Sequence, residues 1–306
     1  MGALNEPMVK PSFFKGMRGR DTLWFYIFIS PWLAGFLLLY FGPMIASLIL
    51  SLTNYSVLLP TKFVGLYNFE QMLKDQLLTI SIWNTVYYAG LSVPLGTVIA
   101  LLLAVFLNRE DIWGRSFFRS AYYIPSIMPI VAVSILWIWL LQPRYGLINS
   151  FLNLLSIRGP NWLGDPAWAK TGLVLMSLTG IGTSFVIFLA ALQGVPRHLY
   201  EAAELDGANA VQKFFNVTVP MISPSIFFVV VIGFINSFQV FTQAYIMTEG
   251  GPADSTLFYV LYLYRQAFNY FKMGYASAMA WFLFIVIVIL TVIQFRLSSR
   301  WVHYGS

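Results

Sequence analysis

The chain alternates between long apolar runs and short charged clusters, and the lengths of the runs predict its elements. Six stretches carry no Asp, Glu, Lys or Arg: 22–61, 76–108, 120–143, 171–196, 214–248 and 273–295. The shortest holds 23 residues, and a helix needs about 20 mostly apolar residues to cross a bilayer core. The runs are apolar continuously rather than at alternate positions, which argues against a membrane β-barrel. The pattern predicts an all-α membrane protein with six transmembrane helices, approximately 23–52, 80–107, 118–141, 169–193, 217–246 and 274–295. A shorter amphipathic stretch, Gly146 to Ser156, places Leu147, Ile148, Phe151, Leu152, Leu154 and Leu155 on one helical face and Asn149, Ser150 and Asn153 opposite. It predicts a short helix, lying on the outer membrane surface or packed on the protein itself.

The charges between the runs orient the spans. An even number of crossings puts both termini on one side, with eleven Lys and Arg there and seven on the other. By the positive-inside rule both termini are cytoplasmic. Residues 1–21 are then a cytoplasmic segment, 22–296 the six-span domain and 297–306 a cytoplasmic tail. The first apolar stretch, Leu23 to Leu52, is too long for a signal-peptide core. No loop is long enough for a folded soluble domain.

Composition sharpens this. Of 306 residues 58% are hydrophobic and 10% charged, with a mean hydropathy of +0.73. Soluble domains carry about 25% charged residues, so a soluble enzyme and a disordered regulator are both excluded. The net charge of +6 reports basic cytoplasmic loops against membrane lipid, not a nucleic-acid partner. The cluster Arg109, Glu110, Asp111, Arg115 and Arg119 is one such elbow.

Several chemistries are missing. The absence of cysteine excludes disulfides, zinc–thiolate sites and cysteine nucleophiles. Two histidines, His198 and His303, leave little for metal or triad chemistry. The predicted spans hold no ionisable Asp, Glu, Lys or Arg, whereas ion-coupled carriers usually place one inside the membrane. Sodium coupling through backbone carbonyls escapes that argument, so a stand-alone secondary carrier stays open. Gly-Lys occurs nowhere, so a phosphate-binding P-loop is absent. An active transporter built from this chain needs its energy from another subunit.

The loop 196–220 carries the most specific signal. Pro196 suits a helix start, Leu199, Ala202, Ala203 and Asp206 share one side, and Gly207 suits a left-handed stop. A second short helix, with Val211, Phe214 and Phe215 on one face, is expected to end at Pro220, where the fifth span starts. Glu201-Ala202-Ala203, then Gly207, then Val217-x-Val219-Pro220 resembles the EAA motif of binding-protein-dependent ABC-importer permeases. Further stretches resemble the sugar branch of that family, of maltose and glycerol-phosphate type: Phe41-Gly-Pro43, Phe63 to Phe69, Arg119 to Pro125, Pro143 to Asn149 and Thr248 to Pro252. Together they cover about residues 24 to 295. The extra external domain of some maltose-type permeases is absent.

The resemblance implies a type I ABC-importer permease fold in a prokaryotic inner membrane. It implies a second, usually different, permease, two ATPase subunits and an external substrate-binding protein as partners. No cofactor belongs to this chain, since ATP and Mg are bound by the ATPase subunits, and the chain is not itself an enzyme. Carried onto this sequence, the loop couples ATPase closure to the spans through Glu201, Ala202, Ala203, Glu204, Asp206, Gly207, Phe214 and Phe215. The solute is a sugar or oligosaccharide, with glycerol phosphate or a uronate oligosaccharide as the alternative.

Candidates for the solute path follow from residue type. Neutral sugars are held by amides, hydroxyls and aromatic faces, which needs no buried charge. Asn236, Gln239 and Gln243 share a face in the fifth span, with Phe238 and Thr242 nearby; Gly180 and Thr183 stand in the fourth, and Asn84 and Tyr87 in the second. The competing explanation is that these groups join helix to helix and that the glycines allow close packing.

Overall fold

The computed structural model describes residues 14–57 and 60–303. The predicted N-terminal segment up to residue 13 and the last three residues of the tail lie outside the described part. The described chain is helical, with an isolated bridge between Thr53 and Phe63. In order, the helices are α1 (Phe14–Gly35), α2 (Gly42–Ser51), α3 (Tyr67–Lys74), α4 (Gln76–Asn108), α5 (Arg115–Ile127), α6 (Ile130–Leu140), α7 (Leu147–Leu154) and α8 (Pro166–Ser177). They continue with α9 (Gly182–Gln193), α10 (Arg197–Leu205), α11 (Ala210–Lys213), α12 (Val219–Phe238), α13 (Thr242–Met247), α14 (Tyr259–Tyr264) and α15 (Met273–Ser298).

Five helical stretches among the described residues are long and apolar enough to cross a membrane: 21–51, 76–108, 166–193, 210–238 and 273–298. The third predicted span, 118–141, is not one straight helix. It is the pair α5 and α6, bent by 104° at Met128 and Pro129. Met128 is extended (ψ 143°) because a residue before proline is pushed out of the helical region. Counting this pair as one crossing brings the number to six.

Two other departures concern prolines and their absence. The helix expected to end at Pro220 does not end there. A π-turn over Phe214–Thr218 joins α11 to α12, and the Val219 N–H reaches back to the Phe214 carbonyl. That wider register absorbs a proline, which has no N–H to offer. Conversely, the fifth run, expected unbroken to residue 246, stops at Phe238 and resumes at Thr242. No Gly or Pro marks this break; the Gln239 side chain folds back to donate to the Ile235 carbonyl at 3.1 Å.

The short amphipathic helix forms as α7, with Asn149 of its polar face turned inward and Ser150 and Asn153 exposed. Asn149 is buried, donates to the carbonyls of Pro143 (3.2 Å) and Pro160 (3.0 Å), and accepts from the Trp162 indole (2.7 Å). Leu147, Phe151 and Leu154 are exposed, while Ile148 and Leu152 pack on the body. Three polar contacts satisfy the one amide that is buried, since an unpaired buried amide costs about 1–3 kcal/mol.

Apolar side chains form two clusters at different depths. One packs Tyr88, Leu173, Leu257, Phe258, Tyr259 and Met279 around the N-terminal half of α4, around α8 and around α14 and α15. The other packs Ala100, Ala104, Leu107, Phe185, Phe188 and Ile222, where α4, α9 and α12 meet toward the loop 196–220. Asp75 ties this end of the bundle together. It caps α4 through the Leu78 N–H (3.1 Å) and accepts from the hydroxyls of Tyr262 and Tyr275, both at 2.7 Å. Burial pushes the Tyr262 phenol up, so it remains a proton donor to Asp75. By contrast, no residue from 21 to 50 is buried. This first helix touches the body mainly where the Trp281 indole donates to the Ser47 hydroxyl at 3.1 Å.

Candidate functional site

Between the two apolar clusters lies a polar cavity of ≈ 250 Å³. Its α4 wall is Tyr88, Ser92, Gly96 and Thr97; its α8–α9 wall is Ser177, Gly180, Ile181 and Ser184. Gly233, Asn236 and Ser237 of α12 and Gln243 of α13 close it. The cavity falls near the middle of α4, a helix of 33 residues and therefore about 50 Å long. Transport sites near the membrane mid-plane, beside broken helices, follow the same logic. The break at 239–241 is what turns Gln243 onto Tyr88, its Nε2 donating to the phenol oxygen at 3.4 Å.

No charged residue lines this space. Ser177 and Ser237 donate their hydroxyl protons to their own helices, at 2.6 and 3.0 Å; the Ser177 hydroxyl also meets the Tyr88 phenol, and the Ser237 oxygen can still accept. Ser92, Thr97, Ser184 and Asn236 make no side-chain hydrogen bond among the described residues. The cavity thus offers amide and hydroxyl groups of both donor and acceptor type.

The candidate path residues divide. Asn236, Gln243 and Gly180 line the cavity. Gln239, Thr242, Thr183 and Tyr87 do not, and Phe238 lines a separate apolar cavity with Phe234, Tyr259 and Phe282. Asn84 is 2% exposed and is occupied in packing: its Nδ2 donates to the carbonyls of Asp254 (2.8 Å) and Leu257 (3.1 Å). The two glycine roles separate as well. An added Cβ on Gly180 meets nothing within 4 Å, whereas on Gly182 it falls 2.6 Å from the Tyr122 carbonyl oxygen. Gly182 lets α5 cross α9 backbone to backbone; Gly180 opens onto the cavity. Ser92, Gly96, Thr97 and Gly233 were not singled out from the sequence. The repeat Tyr88, Ser92, Gly96, one turn apart in an apolar helix, was the signal available.

The loop 196–220 forms a second site. α10 ends in a Schellman turn: Gly207 has φ 79°, its N–H donates to the Glu204 carbonyl (3.0 Å), and the Ala208 N–H donates to the Ala203 carbonyl (2.9 Å). Asn209 then opens α11 with a reciprocal capping box. Its side chain accepts from the Gln212 N–H at 2.9 Å, and the Gln212 side chain accepts from the Asn209 N–H at 2.8 Å. Lys213 bridges back to Glu204 at 2.5 Å, and the hydroxyls of Tyr200 and Thr218 meet at 3.0 Å. Turn, cap and cross-links make a rigid hairpin. Its base joins the neighbouring loop through Arg197 and Glu110 at 2.7 Å, a pair too exposed to add much stability.

The hairpin leaves its apolar side chains outward. Leu205 is 90% exposed, and Val211 and Phe215 are also exposed, while Phe214 is half-buried edge-on against Phe215. Glu201, Ala202 and Asp206 are exposed and Ala203 half-buried. Glu204 is committed to Lys213. Leu205, missed from sequence, is the largest outward apolar group on α10; it sits between Glu204 and Asp206, and that charged context masked it.

Comparison with known proteins gives a family from sequence and a matching fold from structure. Residues 92–304 match the family described as binding-protein-dependent transport system inner membrane component. The probable ABC transporter permease protein YesP of Bacillus subtilis (strain 168) is 44% identical over 94% of each chain. The arabinooligosaccharides transport system permease protein AraP of the same organism is 34% identical, over 92% of this chain and 90% of its own. The fold matches a chain from the crystal structure of a bacterial alginate ABC transporter in complex with alginate pentasaccharide-bound periplasmic protein. That match has a TM-score of 0.82 at 24% identity and covers 96% of this chain and 99% of the other. The matched region contains most of the cavity wall and the whole outward-facing hairpin, and the chain belongs to the family of binding-protein-dependent transport system inner membrane components.

Proposed function

We propose that this chain is the permease subunit of an ATP-driven importer that takes a sugar or oligosaccharide from an external binding protein and passes it across the membrane. A second permease supplies the facing wall of the path, and two ATPase subunits bind the hairpin 196–220 from the cytoplasm, where both termini also lie. Relatives carry names of this kind, among them a lactose transport system permease protein at 33% identity and AraP at 34%. The cavity fits such a solute: its amides and hydroxyls match sugar hydroxyls, and it holds no charge that would select an ion.

The observation that carries the coupling role is the outward hairpin itself. A loop that spends a Schellman turn, a capping box and a charged bridge on rigidity, yet leaves Leu205, Val211 and Phe215 in solvent, is built to be covered. Rigidity matters because a flexible loop would absorb a displacement instead of passing it to α12, with which α11 is continuous. The native chain has no cysteine, so Leu205→Cys places a single thiol on the exposed crest. A thiol–thiol crosslinker is expected to join it to a cysteine on the ATPase subunit, with a yield that changes when ATP is added. A Leu205→Cys chain that assembles into the complex but never crosslinks to the ATPase contradicts the docking.

A further inference from the structure

A second polar cavity, of ≈ 790 Å³, opens where two of the membrane-crossing stretches end. Asn108 closes α4, Gln193 closes α9, and both line it. Arg109, Glu110 and Arg115 of the connection between α4 and α5 line it on one element, and Arg197, Tyr200 and Glu204 of α10 on another. None of the solute-path residues reaches it.

Its charges do not balance. Four arginines and two glutamates line the cavity. Arg109 is paired with Asp111 at 2.6 Å, Arg197 with Glu110 at 2.7 Å, and Glu204 with Lys213 at 2.5 Å. Arg115 and Arg119 remain. Arg115 makes no side-chain hydrogen bond or ion pair among the described residues. Arg119 donates from Nε (3.3 Å) and Nη2 (2.7 Å) to the Leu107 carbonyl, which fixes the guanidinium without neutralising it. Arginine does not give up its proton in proteins, so both charges persist. Both residues are half-buried, and a cation withdrawn from water without a counter-ion is costly. They stand four residues apart, on one face of α5. Arg115 is also the first residue of α5, whose N-terminus has no side-chain cap, so the free N–H groups of that turn add to the positive field.

The residues around this pair indicate which anion it meets. Trp113 is 93% exposed, and Phe117 and Phe118 are exposed next to the two arginines in the chain. Tryptophan gathers at the membrane–water boundary, and a helix that carries arginine on one face and aromatic rings on the other lies at the depth of the headgroups. Basic pockets between spans at that depth suit phosphate-bearing headgroups, and guanidinium forks match phosphate oxygens. We propose that this cavity binds the headgroup of an anionic phospholipid from the leaflet on the hairpin side, with Arg115 and Arg119 receiving its phosphate. The importer reading above enters only in naming that leaflet cytoplasmic.

The test uses the complete transporter, purified in detergent and offered phosphatidylglycerol, phosphatidylcholine or inorganic phosphate in parallel, with bound molecules counted by native mass spectrometry. Phosphatidylglycerol is expected to be retained in preference to phosphatidylcholine and to free phosphate. Arg115→Gln, which removes no internal contact, is expected to weaken phosphatidylglycerol binding about tenfold or more, the scale of losing a hydrogen bond to a charged group. Arg115→Lys should recover part of that loss. Arg158→Gln, an exposed arginine at the opposite end of the bundle, should change nothing. Equal retention of phosphatidylglycerol by the wild type and Arg115→Gln, or of the two lipids by the wild type, overturns the inference. Preference for inorganic phosphate makes the ligand a soluble anion and overturns the lipid assignment. Loss of an ATPase subunit from the Arg115→Gln complex with lipid retention unchanged gives the arginines to a protein partner and overturns it as well. No solute is present in the measurement, so each of these outcomes leaves the importer reading standing.

Discussion

Replacing Gly207 by valine is expected to reduce solute uptake to background while the chain still inserts and folds. Gly207 sits at φ 79°, where a residue with a Cβ pays about 1–2 kcal/mol and a β-branched one more. The penalty is purely conformational, since a Cβ there meets no atom within 4 Å. Relieving it means unwinding the turn, which breaks the Ala208–Ala203 hydrogen bond and moves the Asn209 cap. Leu205 on one arm and Val211 and Phe215 on the other then lose their spacing. The membrane helices keep their packing, because no residue of α10 or α11 is fully buried and Leu199 and Tyr200, which pack α10 on the inner cluster, lie upstream of the turn. Gly207→Asn is the control: asparagine tolerates the left-handed region and should keep most of the activity. The measurement is ATP-dependent uptake set against the thermal unfolding midpoint of the purified complex. Wild-type uptake by Gly207→Val, or an equal loss in Gly207→Asn, contradicts the coupling role.

Replacing Gly180 by tryptophan is expected to stop uptake with equal completeness by a different route. Gly180 lines the cavity, and open space surrounds the position of its missing Cβ. An indole there occupies much of the ≈ 250 Å³, and its Cβ meets no atom within 4 Å. Gly182, two residues on, offers no such room, and a side chain there pushes α5 away from α9. The variant should therefore co-purify with its ATPase partners at wild-type yield and yet carry no solute, whereas Gly180→Ser should carry it. Solute uptake at the wild-type rate through a Gly180→Trp chain removes the cavity from the path. The two substitutions separate the halves of the mechanism, since one breaks transmission with the path intact and the other blocks the path with transmission intact.

The gross architecture was legible because charges are expensive in a bilayer core: the gaps between them mark where helices cross. The Gly207 turn was legible because few residues accept a positive φ. What escaped depends on partners far along the chain. Asn84 looked like a solute ligand, but its acceptors are carbonyls at 254 and 257, some 170 residues away, and no local pattern announces them. The contact of Asn149 with the Trp162 indole is equally invisible in the sequence. Prolines misled in both directions. Pro129 breaks an apolar run that looked continuous, and Pro220 fails to break one because a π-turn precedes it. Lys170 served in the sequence only as the boundary of a charge-free gap. Its contact with Asn84 exists only because α4 and α8 pack together.

The central claim is that this chain moves a carbohydrate using energy supplied by another subunit. It is tested most directly by reconstituting the chain with its partner permease and ATPase subunits in proteoliposomes and following labelled oligosaccharide into the lumen. Uptake is predicted only when ATP and the loaded external binding protein are both present, and vanadate should stop it. Uptake by the chain alone, driven by an ion gradient and indifferent to ATP, would contradict the account.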